Sequence, residues 1–321
     1  MSQQWVAILL AGAIHPSPLT RRLGMPPVCL PIGQDGTLLD AWVRVIETAG
    51  GCREVRLVVN NQREADRVSE AITMETSLAI SVCVDPSSWR GTAGIVHDVS
   101  GERPVGDGAL VIEANCLPPD SLTGLFDVMQ QDIDGVVGIT SGHEPAGVSY
   151  FRKHLIDGIR PVGFVDLKEQ WIPNLYATGH RIQTAVISNR LVRVRNRSGY
   201  LRALEESLGH DVQFQDATQQ STSQSAGPHE RIRGASRIQN RARIADDALV
   251  DSSVVLDGAV VESGAVLSRC IVGRNAVVPA QMRVIDEVIA SHASDSYGGR
   301  SEPAPPPEGL WTANVKEKTV Q

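Results

Sequence analysis

Three arginines alternate along a short stretch of the chain, at Arg193, Arg195 and Arg197. On an extended strand, alternate side chains point to the same face, so these guanidinium groups could hold a phosphate directly, without a metal ion. Alternating arginines also form ordinary solvated strand faces, and the sequence leaves both interpretations open. We keep Arg193 as a candidate phosphate ligand.

Two glycine-containing segments could approach a ligand with their backbone. Gly91-Thr92-Ala93-Gly94 opens a predicted helix, and the same residues could simply make a tight strand-to-helix turn with Thr92 as the N-cap. Leu9-Leu10-Ala11-Gly12 ends an apolar run and leads into Ala13-Ile14-His15-Pro16-Ser17. Pro16 removes a backbone donor and a flexible position, which makes this loop a poor phosphate cradle. Arg21 and Arg22 lie nearby and could bind phosphate instead, or be surface charges.

Composition excludes several classes of chemistry. The 321 residues are 42% apolar and carry a net charge of −7, which predicts about two globular domains and excludes a general nucleic-acid or anionic-membrane binder. Lysine occurs at only four positions, and the other 26 basic residues are arginine. The lysines are Lys153, Lys168, Lys316 and Lys318. Chemistry that needs a lysine within the first 150 residues is therefore excluded.

The cysteines and the N-terminus indicate a reducing compartment. The five cysteines are scattered and none forms a Cys-x-x-Cys pair, which favours free thiols. The N-terminus has no basic region leading into an apolar signal core, and the apolar run Trp5–Ala11 is too short to cross a bilayer. We expect a cytoplasmic protein that binds neither nucleic acid nor membrane.

Strand and helix patterns alternate through the first two thirds of the chain. This alternation predicts an α/β domain, with a mostly parallel sheet covered on both faces and ligands at the carboxyl ends of its strands. The predicted strands cover 6–10, 55–59, 78–84, 110–112, 136–139, 148–151 and 182–187. The predicted helices cover 38–49, a segment capped by Asn61, 92–99, a segment 121–131 capped by Ser121, 166–177 and 199–208.

A six-residue period follows a stretch rich in Gln, Ser and Thr. Aliphatic residues recur every six positions from Ile232 to Leu256, and the period resumes at Leu267 after a slip at Val261. This period predicts a β-helix of about three coils, whose open ends would dock on the preceding domain or on another subunit. We predict an α/β domain at 1–210, a linker at 211–230, a β-helix at 231–290 and a disordered, proline-rich tail at 291–321.

The order of these segments resembles the sugar-1-phosphate nucleotidyltransferases, especially the mannose-1-phosphate guanylyltransferase type. The resemblance covers about residues 5–290, and four segments carry it. They are Leu9–Gly12 with Pro18-Leu19-Thr20 and Leu30–Gly33, Gly91–Gly94, Leu110–Asn115, and the hexads, where Leu267–Gly273 is the closest part. The resemblance implies a Rossmann-like nucleotidyltransferase domain followed by a left-handed β-helix. It further implies a Mg²⁺-dependent reaction in which a sugar phosphate attacks a nucleoside triphosphate and pyrophosphate leaves.

The residues expected to run that reaction are replaced. The family's lysine aligns with Pro26-Pro27-Val28, and its two metal-binding aspartates align with Asn115 and Arg193. Asparagine is an uncharged ligand and a guanidinium repels Mg²⁺. Glu113 is expected to point to the opposite face of its strand. The sugar-holding lobe is reduced to Ser141–Ala146.

We therefore predict a nucleotidyltransferase-like protein that is catalytically inactive and acts as a regulatory, binding or assembly subunit. It would need no cofactor, could bind a nucleotide or nucleotide-sugar, and would form a homo-oligomer or a hetero-oligomer with an active paralogue. Through the resemblance, the candidate nucleotide-binding residues are Gly12, Arg21, Gly91, Thr92, Gly94, Asn115 and Arg193.

Three alternatives stay open. In a divergent active enzyme, Asp85, Asp107 or Glu113 would replace the missing carboxylates and Mg²⁺ would be required. In a hexapeptide acyltransferase, His229 or His292 would serve as general base. In a pure assembly protein, the β-helix would only join subunits.

Overall fold

The structure is a computed structural model that describes residues 4–12, 17–33, 36–85, 89–102, 105–212 and 231–291. The predicted tail lies outside the described residues except for Ser291, and so does most of the predicted linker. The first two linker positions instead complete a helix that ends at Val212.

A seven-stranded sheet organises the first part of the chain. Its strands are β1 (Trp5–Leu10), β2 (Cys52–Val59), β3 (Ala79–Val84), β4 (Gly108–Glu113), β5 (Gly135–Thr140), β6 (Pro145–Arg152) and β7 (Ile182–Ser188). They lie in the order β3-β2-β1-β4-β6-β5-β7. All neighbouring pairs are parallel except those of β6, which is antiparallel to both β4 and β5. The prediction of a mostly parallel, Rossmann-like sheet is confirmed.

Helices cover both faces of this sheet. They are α1 (Pro18–Leu23), α2 (Leu38–Ala49), α3 (Gln62–Ala71), α4 (Gly91–Glu102), α5 (Thr123–Met129), α6 (Lys153–Asp157), α7 (Ile172–Ala177) and α8 (Arg197–Val212). A π-helical turn, Leu167–Trp171, leads into α7. Successive residues of β1 alternate between two hydrophobic clusters, so Leu9 packs on one face and Ile8 on the other. The domain therefore has three layers.

The helix caps confirm one prediction and correct another. The side chain of Asn61 accepts a hydrogen bond from the backbone N–H of Glu64, as expected of an N-cap. Ser121 does not cap α5, because the helix begins at Thr123 with Leu122 in the cap position. The Ser121 hydroxyl instead accepts from the N–H of Thr123, two residues ahead. A short local turn therefore competes with the cap that the sequence predicts.

The hexads form a parallel β-helix with three faces. The strands are β8 (Ile232–Arg233), β9 (Arg237–Ile238), β10 (Arg243–Ile244), β11 (Leu249–Asp251), β12 (Val254–Val255), β13 (Val260–Val261), β14 (Val266–Ser268), β15 (Ile271–Val272), β16 (Val277–Val278), β17 (Arg283–Ile285) and β18 (Val288–Ile289). The faces are β8-β11-β14-β17, β9-β12-β15-β18 and β10-β13-β16. Val250 pairs with Leu267, and Leu267 with Val284, so one coil takes 17 residues. The described chain makes three coils and two strands of a fourth.

One side of the β-helix docks on the α/β domain. The hydrophobic cluster on the Leu9 face of the sheet also contains Val254, Leu256 and Ile271 of the β-helix. Val255, in contrast, points into the solenoid. The Arg22 guanidinium donates to the carbonyl of Val288 at 3.2 Å. The docked surface is thus a flank of the solenoid, the β9-β12-β15-β18 face, and not its open ends as the sequence suggested.

An ion-pair group joins α8 to a corner of the β-helix. Asp286 accepts from Arg197 at 2.5 Å and from Arg269 at 2.7 Å and 2.9 Å. Arg197 also donates to the carbonyl of Arg269 at 2.6 Å. The hydrogen bonds from Arg269 and then Arg197 lower the pKa of Asp286 far below its ordinary value. The carboxylate form therefore stabilises the docked arrangement.

Asp286→Asn is expected to lower the melting temperature at pH 7, because the amide loses the charge that both arginines contact. Asparagine also tolerates the left-handed backbone of this residue, whose φ is 60°. Since the folded pKa is depressed, the stabilisation is complete above the unfolded value of about 3.9 and is lost as pH falls through the folded pKa. The difference from wild type should thus shrink below about pH 4 in thermal melts. Asp120→Asn, at an exposed position, is the control, and equal melting of all three proteins at pH 7 would contradict this role.

Within the described part of the chain, the helices are all too short or too polar to span a lipid bilayer.

Candidate functional site

A cavity of about 300 Å³ opens at the carboxyl ends of β1, β2 and β3 and beside the start of α4. This is the edge at which open α/β sheets bind their ligands. Three of the seven predicted site residues line it, namely Gly12, Gly91 and Thr92. The remaining lining residues are Leu10, Val58, Val59, Asn60, Asn61, Glu64, Asp85, Ile95, Phe164 and Asp166.

Gly12 packs closely against Asn60. A Cβ atom at this position would lie 2.5 Å from the Oδ1 of Asn60, so a larger residue would require that side chain to shift. The N–H groups of Ala11 and Gly12 both donate to the carbonyl of Val58, at 2.9 Å and 3.0 Å. These two donors are therefore already engaged, and the part of the following loop at 13–16 lies outside the described residues.

The Gly91–Gly94 motif has a packing role that its spacing does not reveal. Gly91 has a φ of +72°, and a Cβ there would lie 2.6 Å from the carbonyl oxygen of Val165. That oxygen accepts from the N–H groups of Ala93 at 3.0 Å and Gly94 at 3.3 Å. The start of α4 thus binds a backbone carbonyl of its own chain, where a phosphate would otherwise find free donors.

Thr92 is not an N-cap, which was one of the two roles that the sequence left open. It lies inside α4, and its hydroxyl accepts from the N–H of Leu167 at 2.9 Å. The same hydroxyl bonds to the Oδ2 of Asp166 at 3.1 Å. Thr92 therefore anchors the segment that leads into the π-helical turn, and this segment closes one side of the cavity.

Two other candidates are not among the residues that line the cavity. Gly94 faces Arg90, because a Cβ there would lie 3.0 Å from the Cβ of that arginine. Arg21 is exposed on α1. Its neighbour Arg22 binds the β-helix, so one of the two arginines has a structural role. The structure therefore does not bring Gly94 and Arg21 together with Gly12 at this cavity.

The segments that carry Asn115 and Arg193 pair with each other, and the resemblance assigns these two positions to metal ligands. Cys116 and Arg193 form an isolated antiparallel bridge, and the N–H of Val194 donates to the carbonyl of Asn115 at 2.7 Å. The Oδ1 of Asn115 is buried and has no hydrogen-bond partner in the structure. An acceptor of this kind is expected to bind a donor from a ligand or a water.

Glu113 and Lys168 complete a charged cluster beside these residues. The Glu113 carboxylate forms an ion pair with Lys168, and its Oε2 lies 3.9 Å from the Nε of Arg193. The prediction that Glu113 faces away is therefore wrong, because the chain turns directly after β4 and the carboxylate lies at the strand end. A lysine is also present at the site, although no lysine precedes residue 153. Lys168 reaches the site from the π-helical turn.

Cys116 lies against the same cluster but is not a reactive nucleophile. Its thiol is buried, and burial raises its pKa to about 12. A thiol with such a pKa is protonated at neutral pH, and the thiolate is the nucleophilic form. The prediction of free cysteines is confirmed, since all five are unpaired.

The residues at the two metal-ligand positions do not fit Mg²⁺. The ion takes oxygen ligands in octahedral geometry and is usually held by carboxylates. Here the only carboxylate of the cluster is paired with Lys168, and a guanidinium stands where the second aspartate is expected. The cluster carries more positive than negative charge, which repels a divalent cation and attracts a phosphate.

The other groups considered for the alternative chemistries are widely separated. Asp85 lines the cavity. Asp107 lies at the opposite edge of the sheet, where its carboxylate accepts from the N–H of Gln4 at 2.8 Å. It therefore cannot replace a carboxylate at the end of β4. His229 and His292, the candidate bases of an acyltransferase, lie outside the described residues.

The cavity and the cationic cluster are neighbours. Leu10, which lines the cavity, pairs in register with Glu113 of the cluster. Asp166 lines the cavity and caps the turn that carries Lys168, with its Oδ1 accepting from the Lys168 N–H at 2.8 Å. The sequence analysis missed Asp166 and Lys168 as site residues, since neither belongs to a motif and each lies more than 50 residues along the chain from β4.

A short turn joins β5 to β6, as the sequence predicts. Only Ser141–Glu144 connect these strands, and the turn is closed by hydrogen bonds from the N–H of Thr140 to the carbonyl of Glu144 at 2.8 Å and from His143 to Thr140 at 2.9 Å. No room remains in this connection for a lobe that would cover a sugar.

The comparisons with known proteins bear on the β-helix. Residues 230–290 match a family described as GlmU-like, C-terminal hexapeptide. The β-helix is therefore a hexapeptide-repeat domain similar to the C-terminal domain of GlmU-like proteins. A search of curated proteins found no match to the chain. The match does not extend to the α/β domain.

Proposed function

We propose that this chain is a catalytically inactive, nucleotidyltransferase-like protein related to the NDP-sugar pyrophosphorylases. It binds a nucleotide or nucleotide-sugar without Mg²⁺, and it acts as a regulatory, binding or assembly subunit in cytoplasmic sugar-nucleotide or polysaccharide metabolism. The observation that carries the proposal is the cluster at the end of β4, where Lys168 and Arg193 both lie beside the Glu113 carboxylate. The resemblance assigns the position of Arg193 to a metal-binding carboxylate.

The site has two regions of different charge, and each suits a different part of a nucleotide. The cavity contains the carboxylates of Glu64, Asp85 and Asp166, which repel phosphate groups but accept hydrogen bonds from a base or a ribose. Lys168 and Arg193, at the neighbouring strand end, supply the positive charge that phosphate oxygens require. A base and ribose in the cavity, with phosphates toward the cluster, satisfies both regions.

The same cluster argues against nucleotidyl transfer. In-line attack on a phosphate needs neutralisation of the charge that develops on its oxygens and exact positioning of both reactants. Arg193 can neutralise charge but does not hold a metal, and the short β5–β6 connection offers no sugar-covering lobe. The cluster therefore suits binding of a nucleotide, but its residues do not fit the Mg²⁺ ion that would position the reactants for transfer.

The β-helix supports an assembly role. One flank is covered by the α/β domain, but apolar side chains point outward from other parts of the solenoid. Val277 is 52% exposed, Met282 47% and Ile285 49%. Outward apolar residues on a regular, repetitive surface suit contact with a second β-helix. The partner would be another copy of this chain or an active paralogue.

Calorimetry tests the binding proposal directly. Titration of the full-length protein with GTP, ATP and dTTP, each with and without Mg²⁺, should give heat for at least one nucleotide, with no gain in affinity from Mg²⁺. Arg193→Ala should weaken binding about ten- to a hundredfold, because a charged hydrogen bond contributes about 1.5–3 kcal/mol.

Arg53→Ala is the matched control for this titration. Arg53 is an exposed arginine of β2 and lies near the amino end of that strand, away from the cavity. Its loss should leave nucleotide affinity unchanged. Absence of heat at millimolar nucleotide, or an equal effect of the two variants, would overturn the proposal.

An active, divergent nucleotidyltransferase is the second candidate, because Glu113 does lie at the metal-ligand edge. In that case pyrophosphate would be released from a nucleoside triphosphate in the presence of a sugar phosphate and Mg²⁺. Turnover that Asn115→Ala abolishes would establish this activity and refute an inactive protein.

A further inference from the structure

Two histidines and an aspartate converge at the opposite edge of the sheet, away from the candidate nucleotide site. Asp134 directly precedes β5, His180 lies two residues before β7, and His154 follows β6 in α6. Because β6 is antiparallel to β5, its end lies at the same edge as the starts of β5 and β7. The sheet topology therefore brings together three residues that no sequence motif connects.

Backbone hydrogen bonds fix these segments relative to one another. The N–H of Arg152 donates to the carbonyl of Asp134 at 3.0 Å, and the N–H of Asp134 donates to the carbonyl of Arg181 at 2.9 Å. The N–H of Arg181 also donates to the Oδ2 of Asp134 at 2.8 Å. The carboxylate is thus oriented by the backbone next to both histidines, and the site does not depend on long, free side chains alone.

The distances fit shared coordination better than direct hydrogen bonding. The Nε2 of His154 lies 3.6 Å from the Oδ1 of Asp134, and the Nδ1 of His180 lies 3.8 Å from its Oδ2. Both separations are too long for a hydrogen bond. Ligand atoms about 2.0–2.2 Å from one tetrahedral ion stand about 3.4 Å apart, close to these values. One donor atom from each of the three residues lies within 4.8 Å of the other two.

The charges around this cluster leave a place for a cation. The Nε of Arg181 lies 3.9 Å from the Oδ2 of Asp134. Its guanidinium is bound chiefly by Asp132, through both carboxylate oxygens. Asp134 is 16% exposed and carries the negative charge of the cluster, whereas neutral imidazoles contribute lone pairs.

We propose that Asp134, His154 and His180 form a binding site for a borderline divalent transition-metal ion, with Zn²⁺ as the preferred ion. Imidazole nitrogens with one carboxylate favour Zn²⁺, and related ions such as Ni²⁺, over Mg²⁺ or Ca²⁺, which prefer oxygen ligands alone. Three protein ligands leave at least one position of a tetrahedral ion for water or another ligand.

A cavity of about 600 Å³ lies next to this site. Both His154 and His180 line it, together with Arg160, Trp171 and Asn174. An ion held by the two imidazoles would therefore border a space that can admit a small molecule, and the side-chain amide of Asn174 offers it hydrogen bonds. This site is independent of the nucleotide site proposed above.

Titration with Zn²⁺ alone tests the inference. The full-length protein, stripped with a chelator and returned to pH 7.5, should bind one equivalent of Zn²⁺ in calorimetry, and Zn²⁺ should raise its melting temperature, since a ligand that binds the folded state stabilises it. His154→Ala and His180→Ala should each weaken binding at least about tenfold.

His143→Asn is the matched control, since it removes a histidine from the β5–β6 turn and asparagine tolerates the left-handed φ of 63° there. It should bind Zn²⁺ as wild type does. Because the side chains of His154 and His180 are 56% and 38% exposed, their variants should keep the circular dichroism spectrum and the melting temperature of the metal-free protein. No stoichiometric binding by wild type, or undiminished binding by both histidine variants, would refute the site. The site would also be refuted if Zn²⁺ bound only between two protein molecules, which gel filtration would show as a dimer.

Discussion

Trp42→Ala is expected to lower the free energy of unfolding by about 3–5 kcal/mol, the usual range for removing a large aromatic side chain from a packed core. Trp42 of α2 has no exposed surface. Its Nε1–H donates to the carbonyl of Cys116 at 2.9 Å, directly after β4. The side chain therefore fills the core. It also fixes the loop after β4, in which Cys116 forms a backbone bridge with Arg193. Chemical denaturation, followed by circular dichroism, measures the loss.

The variant should also weaken nucleotide binding at temperatures where it stays folded, because the end of β4 loses its support. Trp42→Phe separates the two effects, since it keeps most of the ring but leaves the buried carbonyl of Cys116 without its donor. We expect that variant to cost about 1–3 kcal/mol. A Phe variant as stable as wild type would show that the hydrogen bond contributes nothing.

Gly91→Ala is the second substitution with a large expected effect. A non-glycine residue at a φ of +72° costs about 1–3 kcal/mol, and the new Cβ would also lie 2.6 Å from the carbonyl oxygen of Val165. Relief of this overlap requires the 160–167 segment to move away from α4. The unfolding free energy and the nucleotide affinity should both fall, because Phe164 and Asp166 line the cavity.

Gly101→Ala provides the control in the same helix. Its φ is not left-handed, and a Cβ there meets no atom within 4 Å. Alanine is the better helix former, so this variant should be unchanged or more stable, by up to about 1 kcal/mol. If the two variants behave alike in denaturation experiments, the contact between Gly91 and Val165 does not constrain the fold.

Patterns local in the sequence predicted most of the elements. Alternating apolar runs gave the strands, the side chain of Asn61 gave a helix start, and the six-residue period from Ile232 gave the β-helix. Each of these signals depends on neighbours within a few residues, where side-chain periodicity and backbone geometry are tightly linked. The order of the strands was not predicted, because it depends on pairing between segments that are distant in the sequence.

The side chains that meet at the candidate site could only partly be predicted. The resemblance predicted that Asn115 and Arg193 lie together, and the structure pairs their segments through a bridge between Cys116 and Arg193, while their joint role in binding stays a prediction. The sequence could not identify Lys168 as a site residue, because its contact with Glu113 depends on how a π-helical turn packs against the end of β4. Counting lysines by chain position excluded a group that tertiary structure supplies from elsewhere.

Thr92 shows the same limit at a smaller scale. A threonine after a glycine at a helix start is a typical N-cap, and the local pattern is correct. The hydroxyl nevertheless binds Asp166 and Leu167, which lie more than 70 residues away along the chain, while the N–H groups of Ala93 and Gly94 donate to the carbonyl of Val165. The three members of the metal cluster were missed for the same reason, since only strand pairing unites them.

Because one flank of the β-helix is docked on the α/β domain, the number of coils between Val254 and the docking contacts is fixed. Each coil advances the solenoid by about 4.8 Å, the spacing of neighbouring strands. Asp286 and Val288 lie in the fourth turn, at the height where Arg197 and Arg22 contact them. Insertion of one 17-residue repeat before Val254 would displace every later coil by that spacing and carry Asp286 out of reach. Repeats added after Ile289 would leave these docking contacts in place.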